Sequence, residues 1–241
     1  MQIWQQPGYV LHARPWRETS LLLECLTPEL GRVGLVARGV RGRKTRIQRA
    51  TLEAFQPVNL SFQLRGEMGT LREAEAGLRH ALKGTALLSG LYLNELVVRL
   101  TVRLDAHMPL FAAYADTLVR LATQPGIAWS LRRFERDLLQ TLGYAPVLDV
   151  EAETGQPIQP LQHYDYEPEL GPVRRSQAGW IPGSALLALA ADIEPKAEDL
   201  RVLKRLMRHL IAEHLGGRNL ASWQLFNSPR GSTRRLAKPG G

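Results

Sequence analysis

The stretch GRVGLVARGVRGRKTRIQR, residues 31–49, decides how the first third of this chain is read. It opens as a strand, Arg32–Ala37, and then changes character. Between Arg38 and Arg49 lie six basic residues in twelve positions (Arg38, Arg41, Arg43, Lys44, Arg46, Arg49) and no acid. Gly39 and Gly42 sit inside the run. Such a segment is too polar and too glycine-rich to pack as core, so it is expected to project from a β-framework as a loop. Its charge matches a phosphate backbone better than a small-molecule site. A merely solvated charged loop is the other reading, and the segment alone leaves both open.

Working outward, the first 78 residues read as a small β-domain. Tyr9–Arg14, Ser20–Leu26, Arg32–Ala37, Pro57–Gln63 and Met68–Arg72 are short strand candidates separated by turn chemistry. Thr27-Pro28-Glu29-Leu30-Gly31 is a tight connection with proline early and glycine late. Five short strands around a basic loop suit a small closed barrel, and an OB-fold is the common solution at that size.

From about Ala81 the apolar period changes from two to that of helices. His80–Leu104, Leu110–Thr123 and Ala128–Leu142 are helical, broken at Pro109 and at Pro125-Gly126. Leu87, Leu88, Leu91, Tyr92, Leu96 and Leu100 cover more than half of the first of these, which predicts a central helix. A fourth runs from Lys196 to His214. Between the third and fourth lies an irregular insert, residues 145–183, with six prolines and the isolated aromatics Tyr164, Tyr166 and Trp180. Loops and a short hairpin packed on the helices are expected there. The fold class is therefore α+β: a barrel over 1–78, a helical domain over 79–228 carrying the insert, and a basic, disordered tail over 229–241.

Composition narrows the partners. The 241 residues carry a formal net charge of +8, with 44% hydrophobic and 22% charged residues. That excess favours a polyanion, with an acidic membrane surface the weaker option. No leader pattern opens the chain, and the apolar region Ala86–Leu104 is interrupted by Asn94, Glu95, Arg99, Thr101 and Arg103, so no membrane span is expected. The single cysteine, Cys25, sits in an apolar run and reads as a small buried hydrophobe, which fits a reducing cytoplasm.

Catalytic readings fare badly. The six histidines are scattered, and His209 and His214 point to different helix faces. No pair has metal-ligand spacing, and no nucleotide-binding or nucleophile-elbow motif occurs. The expectation is no enzyme, no metal and no cofactor. Binding chemistry fares better. Arg132, Arg133 and Arg136 lie on the third helix, interleaved with Leu131, Phe134, Leu138 and Leu139. An arginine edge beside an apolar stripe can seat a short peptide with an acidic, aromatic-ended tail; an ordinary solvated helix face paired with Glu135 and Asp137 is the alternative. Arg201, Lys204, Arg205 and Arg208 form a stripe on the fourth helix that can track phosphates as a secondary contact, or simply be solvated. Trp4, Tyr9, Trp16, Phe55 and Phe62 are candidate base-stacking rings, most of them core. Trp16, between Pro15 and Arg17 in a strand-linking loop, is the one expected to be exposed.

Several stretches together resemble the bacterial recombination mediator family RecO. They are Val10-Leu11-His12-Ala13-Arg14-Pro15-Trp16-Arg17-Glu18-Thr19-Ser20, then Gly31-Arg32-Val33 and Val36-Ala37-Arg38-Gly39, then Gly90-Leu91-Tyr92-Leu93-Asn94-Glu95-Leu96. Leu131-Arg132-Arg133-Phe134-Glu135, running on through Leu138-Leu139 to Leu142-Gly143-Tyr144, and Leu215-Gly216-Gly217-Arg218 with Ser222 and Leu225-Phe226 continue the resemblance in the same order. The resemblance implies an N-terminal OB-fold and a helical C-terminal domain. It implies binding of single- and double-stranded DNA, strand annealing, and, with RecR, loading of RecA onto strands covered by single-stranded-DNA-binding protein. It also implies docking on that protein's acidic, phenylalanine-ended C-terminal tail, with Arg132, Arg133, Leu93 and Phe134 as contacts, and action in the cytoplasm on nucleoid DNA. The DNA contacts expected are Arg38, Arg41, Arg43, Lys44, Arg46, Arg49 and Trp16. Some members carry a four-cysteine zinc module where this chain has its insert. The insert here holds no cysteine, so the zinc is not carried over. An RNA-binding OB protein, such as a ribosome-associated factor, is the alternative function, and a nuclease a more distant one.

Overall fold

The computed structural model describes residues 1–42, 47–174 and 179–227, and the tail expected over 229–241 lies outside the described residues. Five strands, β1 (Gln2–Trp16), β2 (Ser20–Thr27), β3 (Gly31–Ala37), β4 (Pro57–Arg65) and β5 (Met68–Ala76), close into a barrel in the order β1-β2-β3-β5-β4. All neighbours are antiparallel except β3 and β5, which run parallel through Gly34–Met68, Leu35–Gly69 and Val36–Thr70. Gly69 lets the two strands meet closely: a Cβ there would lie 2.6 Å from a Leu35 methyl, which would have to shift. Inward-facing Val10, Leu23, Cys25, Val33, Leu35, Leu60, Phe62 and Leu71 fill the barrel.

Two strands are longer than their apolar patterns. β1 begins at Gln2 because its polar first half, which holds Trp4 and Pro7, pairs with β4 from Gln2–Gln63 to Tyr9–Pro57. Its second half pairs with β2. One strand thus closes the barrel on both sides, bent by irregularities at Ile3/Gln6 and Val10/His12, with Gln5 at φ 50°. β5 likewise continues through the charged Arg72–Ala76 segment on ladder bonds to β4.

The helical part comprises α1 (Gly84–Leu100), α2 (Met108–Thr123), α3 (Ile127–Thr141), α4 (Gly183–Ala190), α5 (Ala197–His214) and α6 (Ala221–Asn227). The helix expected over His80–Leu104 is shorter. Residues 80–83 are not helical, with Lys83 extended, and Thr101 leaves the helix to receive the Arg32 guanidinium at both its Oγ1 (3.1 Å) and its carbonyl (2.8 Å). α1 is central, with Tyr92, Leu93, Leu96 and Val97 buried, but Leu87 and Leu91 lie on its exposed side. The insert forms a small sheet of β6 (His163–Glu167), β7 (Gly171–Val173) and β8 (Ile181–Pro182), in the order β7-β6-β8. Tyr164 and Tyr166 bury their rings in the helical core, and Trp180 lies under the Arg205 guanidinium, 4.2 Å from its ring centre.

The barrel is joined to the helices by polar and aromatic contacts. Glu24 on β2 accepts bonds from Arg32 of β3 and from Arg103 in the α1–α2 connection. The Asn94 amide of α1 donates to the Leu11 carbonyl at 2.8 Å and accepts from the Tyr114 hydroxyl at 2.6 Å. Tyr9 packs against Phe111 and Tyr114 of α2. Gly31 completes the joint: with φ +63°, any Cβ it carried would collide with the Asp105 carbonyl oxygen.

Candidate functional site

Two surfaces carry the charge. The first is the barrel loop after β3. Its ends are pinned, since Val40 and Ile47 bury their side chains in the barrel core. The Arg41 amide donates to the Thr19 carbonyl at 2.9 Å, and its guanidinium reaches the Arg17 carbonyl, so the loop is laid against the β1–β2 turn. Arg38, Arg41 and Arg49 are exposed and, among the described residues, form no ion pair. Arg43, Lys44 and Arg46 lie outside the described residues. Trp16 closes β1 beside this turn and is 42% exposed, whereas Tyr9, Phe55 and Phe62 are core. Trp4 is more exposed still, at 65%, on the opposite half of β1. It lies within the register irregularity between Ile3 and Gln6, which no sequence signal marked.

The second surface is a groove of about 260 Å³ between α1, α3, α5 and α6. Residues 127, 128, 131 and 132 share one face of α3, so Ile127, Ala128 and Leu131 supply an apolar floor beside Arg132. Tyr92 and the Trp223 ring of α6 complete the apolar walls. Lys204 and Arg208, one turn apart on α5, enter from the far side, with the Arg208 guanidinium 5.5 Å from the centre of the Trp223 ring. Ser89 brings a fully buried hydroxyl that has no partner among the described residues.

Electrostatics in the groove are lopsided. Arg132 is buried and is held through two nitrogens by Glu135, which also accepts from the Tyr92 hydroxyl at 2.8 Å. Burial, with Glu135 beside it, pushes the Tyr92 hydroxyl well above the usual tyrosine range. Burial, then the nearby Arg208 and Arg132, pushes the Lys204 ammonium down. With Arg132 balanced by Glu135, Lys204 and Arg208 are the cations that stand beside an apolar floor, a chemistry suited to an anion attached to something hydrophobic.

The sequence-derived candidates for this surface separate. Arg132 lines the groove. Arg133 points elsewhere, paired with Asp192 at 2.6 Å, and Arg136 bonds Asp192, Asp137 and the Leu189 carbonyl. Leu93 and Phe134 are fully buried in the helical core and line no surface. The stripe on α5 divides: Lys204 and Arg208 face the groove, Arg205 covers Trp180, and Arg201 is exposed. The i, i+4 spacing of Lys204 and Arg208 was visible in the chain; their convergence with Arg132 and Trp223 was not, as it joins elements distant in sequence.

The chain matches the family models for "Recombination protein O N terminal" over residues 1–77 and "Recombination protein O C terminal" over residues 82–224. It belongs to the RecO family. Curated relatives named "DNA repair protein RecO" agree along nearly their whole length. The protein of Stenotrophomonas maltophilia (strain K279a) is 48% identical over 233 residues, covering 94% of this chain and 97% of that one. Those of Xanthomonas oryzae pv. oryzae (strain PXO99A) and Xylella fastidiosa (strain M12) are 44% and 45% identical over 234 residues, covering 94% of this chain and 97% and 96% of theirs. Family membership gives the chain a DNA repair and recombination role, and the closed barrel followed by helices is consistent with the OB-fold expectation. Among the described residues no helix is long and apolar enough to cross a membrane, and no three His, Cys, Asp or Glu residues cluster as metal ligands.

Proposed function

We propose that this protein is a non-enzymatic DNA-binding mediator. It anneals complementary single strands and, with RecR, helps load RecA onto single-stranded DNA covered by its binding protein, acting in the cytoplasm on nucleoid DNA. The observation that carries the reading is the coexistence of two cationic surfaces of different character: a barrel loop whose described arginines Arg38, Arg41 and Arg49 are exposed and form no ion pair among the described residues, and an apolar groove lined by Arg132, Lys204 and Arg208. The loop suits phosphates without sequence preference. The groove suits the acidic, phenylalanine-ended tail of the covering protein: ring on the Leu131–Trp223 floor, carboxylates toward Lys204 and Arg208.

The deciding experiment is strand annealing on strands coated with the single-stranded-DNA-binding protein, with and without its C-terminal tail. Annealing that requires the tail is the expected result, and annealing indifferent to it removes the recruitment step. The loop has its own test in salt. Six basic residues on six phosphates of a single strand give a slope of log affinity against log salt of about −4, and alanine at Arg41, Arg43, Lys44 and Arg46 should reduce it to about −1.4.

A further inference from the structure

Where the barrel meets α1 there is a second, unrelated cleft of about 450 Å³, within the size range of small-ligand sites. Leu11, Leu21 and Leu52 form its floor, and Leu91 of α1 forms its outer wall. Leu91 is 42% exposed, an apolar side chain left facing a concavity. Arg49, Arg79, Glu53 and His12 supply its polar lining. Arg79 is taken up by Glu53 at 2.6 Å, whereas Arg49 has no acid partner among the described residues. Arg49 is also the last residue of the basic loop, and Pro15, on the cleft's β1 side, directly precedes the exposed Trp16. The cleft is therefore continuous with the loop face.

We propose that this cleft is a nucleobase site for single-stranded DNA: one unstacked base enters against Leu91 while its phosphate rests on Arg49. The inference rests on the DNA-binding reading above and adds a chemical distinction to it. An apolar interior with a cation at the lip matches a nucleotide, whose flat π-face is hydrophobic and whose backbone is anionic. A paired base cannot enter, because its faces are covered by its neighbours and its edge by its partner. The loop thus supplies affinity for any DNA, and the cleft adds preference for the unpaired strand.

Binding of the full-length chain to a thymidine homopolymer, to the same strand with abasic sites, and to a duplex tests this by fluorescence anisotropy. Leu91→Asn should weaken homopolymer binding about tenfold and erase the preference for bases over abasic sites, with duplex affinity and salt slope unchanged. Ala13→Phe, which fills the cleft from the exposed β1 side, should do the same. Leu87→Asn, one turn away and outside the cleft, should change neither. Equal losses on single strand and duplex, or no loss from either cleft variant in a protein that melts normally, would overturn the base site while leaving the DNA-binding reading intact. A native protein that binds no single strand at all overturns both.

Discussion

Glu95 of α1 caps Ser222 at the start of α6: its carboxylate accepts the Ser222 amide at 2.8 Å and hydroxyl at 2.6 Å, and the Ala221 amide at 2.8 Å. α6 carries Trp223, so this contact, bridging more than a hundred residues of sequence, sets one wall of the cationic groove. Burial pushes the Glu95 carboxyl up, but the bonds from Ser222 and Ala221, with Arg99 nearby, outweigh it and hold it below the usual carboxylate range. Glutamine offers one acceptor oxygen and turns an NH2 toward the remaining donors. Glu95→Gln should therefore weaken binding of a labelled tail peptide about five- to tenfold without changing DNA affinity.

The lowered carboxyl also fixes a pH dependence. A group depressed in the folded state stabilises it above the unfolded value and loses that contribution as pH falls through the folded value. The Trp223 environment, followed by fluorescence, should hold at neutral pH and change below about pH 4 in the native protein. The Glu95→Gln variant should not show that step.

Glu24 does for the two domains what Glu95 does for the groove. Burial raises its carboxyl, and the bonds from Arg103 and Arg32 more than reverse the shift. Glu24→Gln leaves two half-buried guanidinium groups short of a carboxylate. We expect a loss of about 1–3 kcal/mol, read as a fall of several degrees in Tm by calorimetry.

Within the groove the arginines are not equivalent. Arg133 is occupied by Asp192 away from the groove, so Arg133→Ala should leave tail-peptide affinity unchanged. Lys204→Ala and Arg208→Ala each remove a groove cation and should each cost about tenfold, measured by peptide anisotropy.

Arg132 also neutralises a fully buried carboxylate. Arg132→Ala strands Glu135 and should destabilise the protein by about 3–5 kcal/mol in denaturant titration. The double change Arg132→Met with Glu135→Gln should recover most of that loss while leaving peptide binding weak. Recovery of both would remove Arg132 from the recognition surface.

Much of the architecture was legible along the chain because it is written in local rules. Strand periodicity marked all five barrel strands, with β2, β3 and β4 within two residues at either end, and the glycine at residue 31 marked a turn that admits no side chain. The exposure of Trp16 followed from its place at a strand end. Local rules failed where partners are remote. The polar halves of β1 and β5 are strands only through their ladder to β4. α4 is nearly all apolar and lay unrecognised at the end of the insert, while α6, at seven residues, is too short to show a period.

The sequence by itself determined the barrel-then-helices order, the basic loop and the excess of positive charge, since periodicity, turn chemistry and composition are properties of neighbouring residues. Only the tertiary structure decided which cations act together. It buried Arg132 against Glu135, turned Arg133 to Asp192, sank Leu93 and Phe134 in the core, and brought Lys204, Arg208 and Trp223 to one groove. The physical reason is that a charged side chain is defined by what shares its space, and those neighbours come from helices separated by as much as a hundred residues and more.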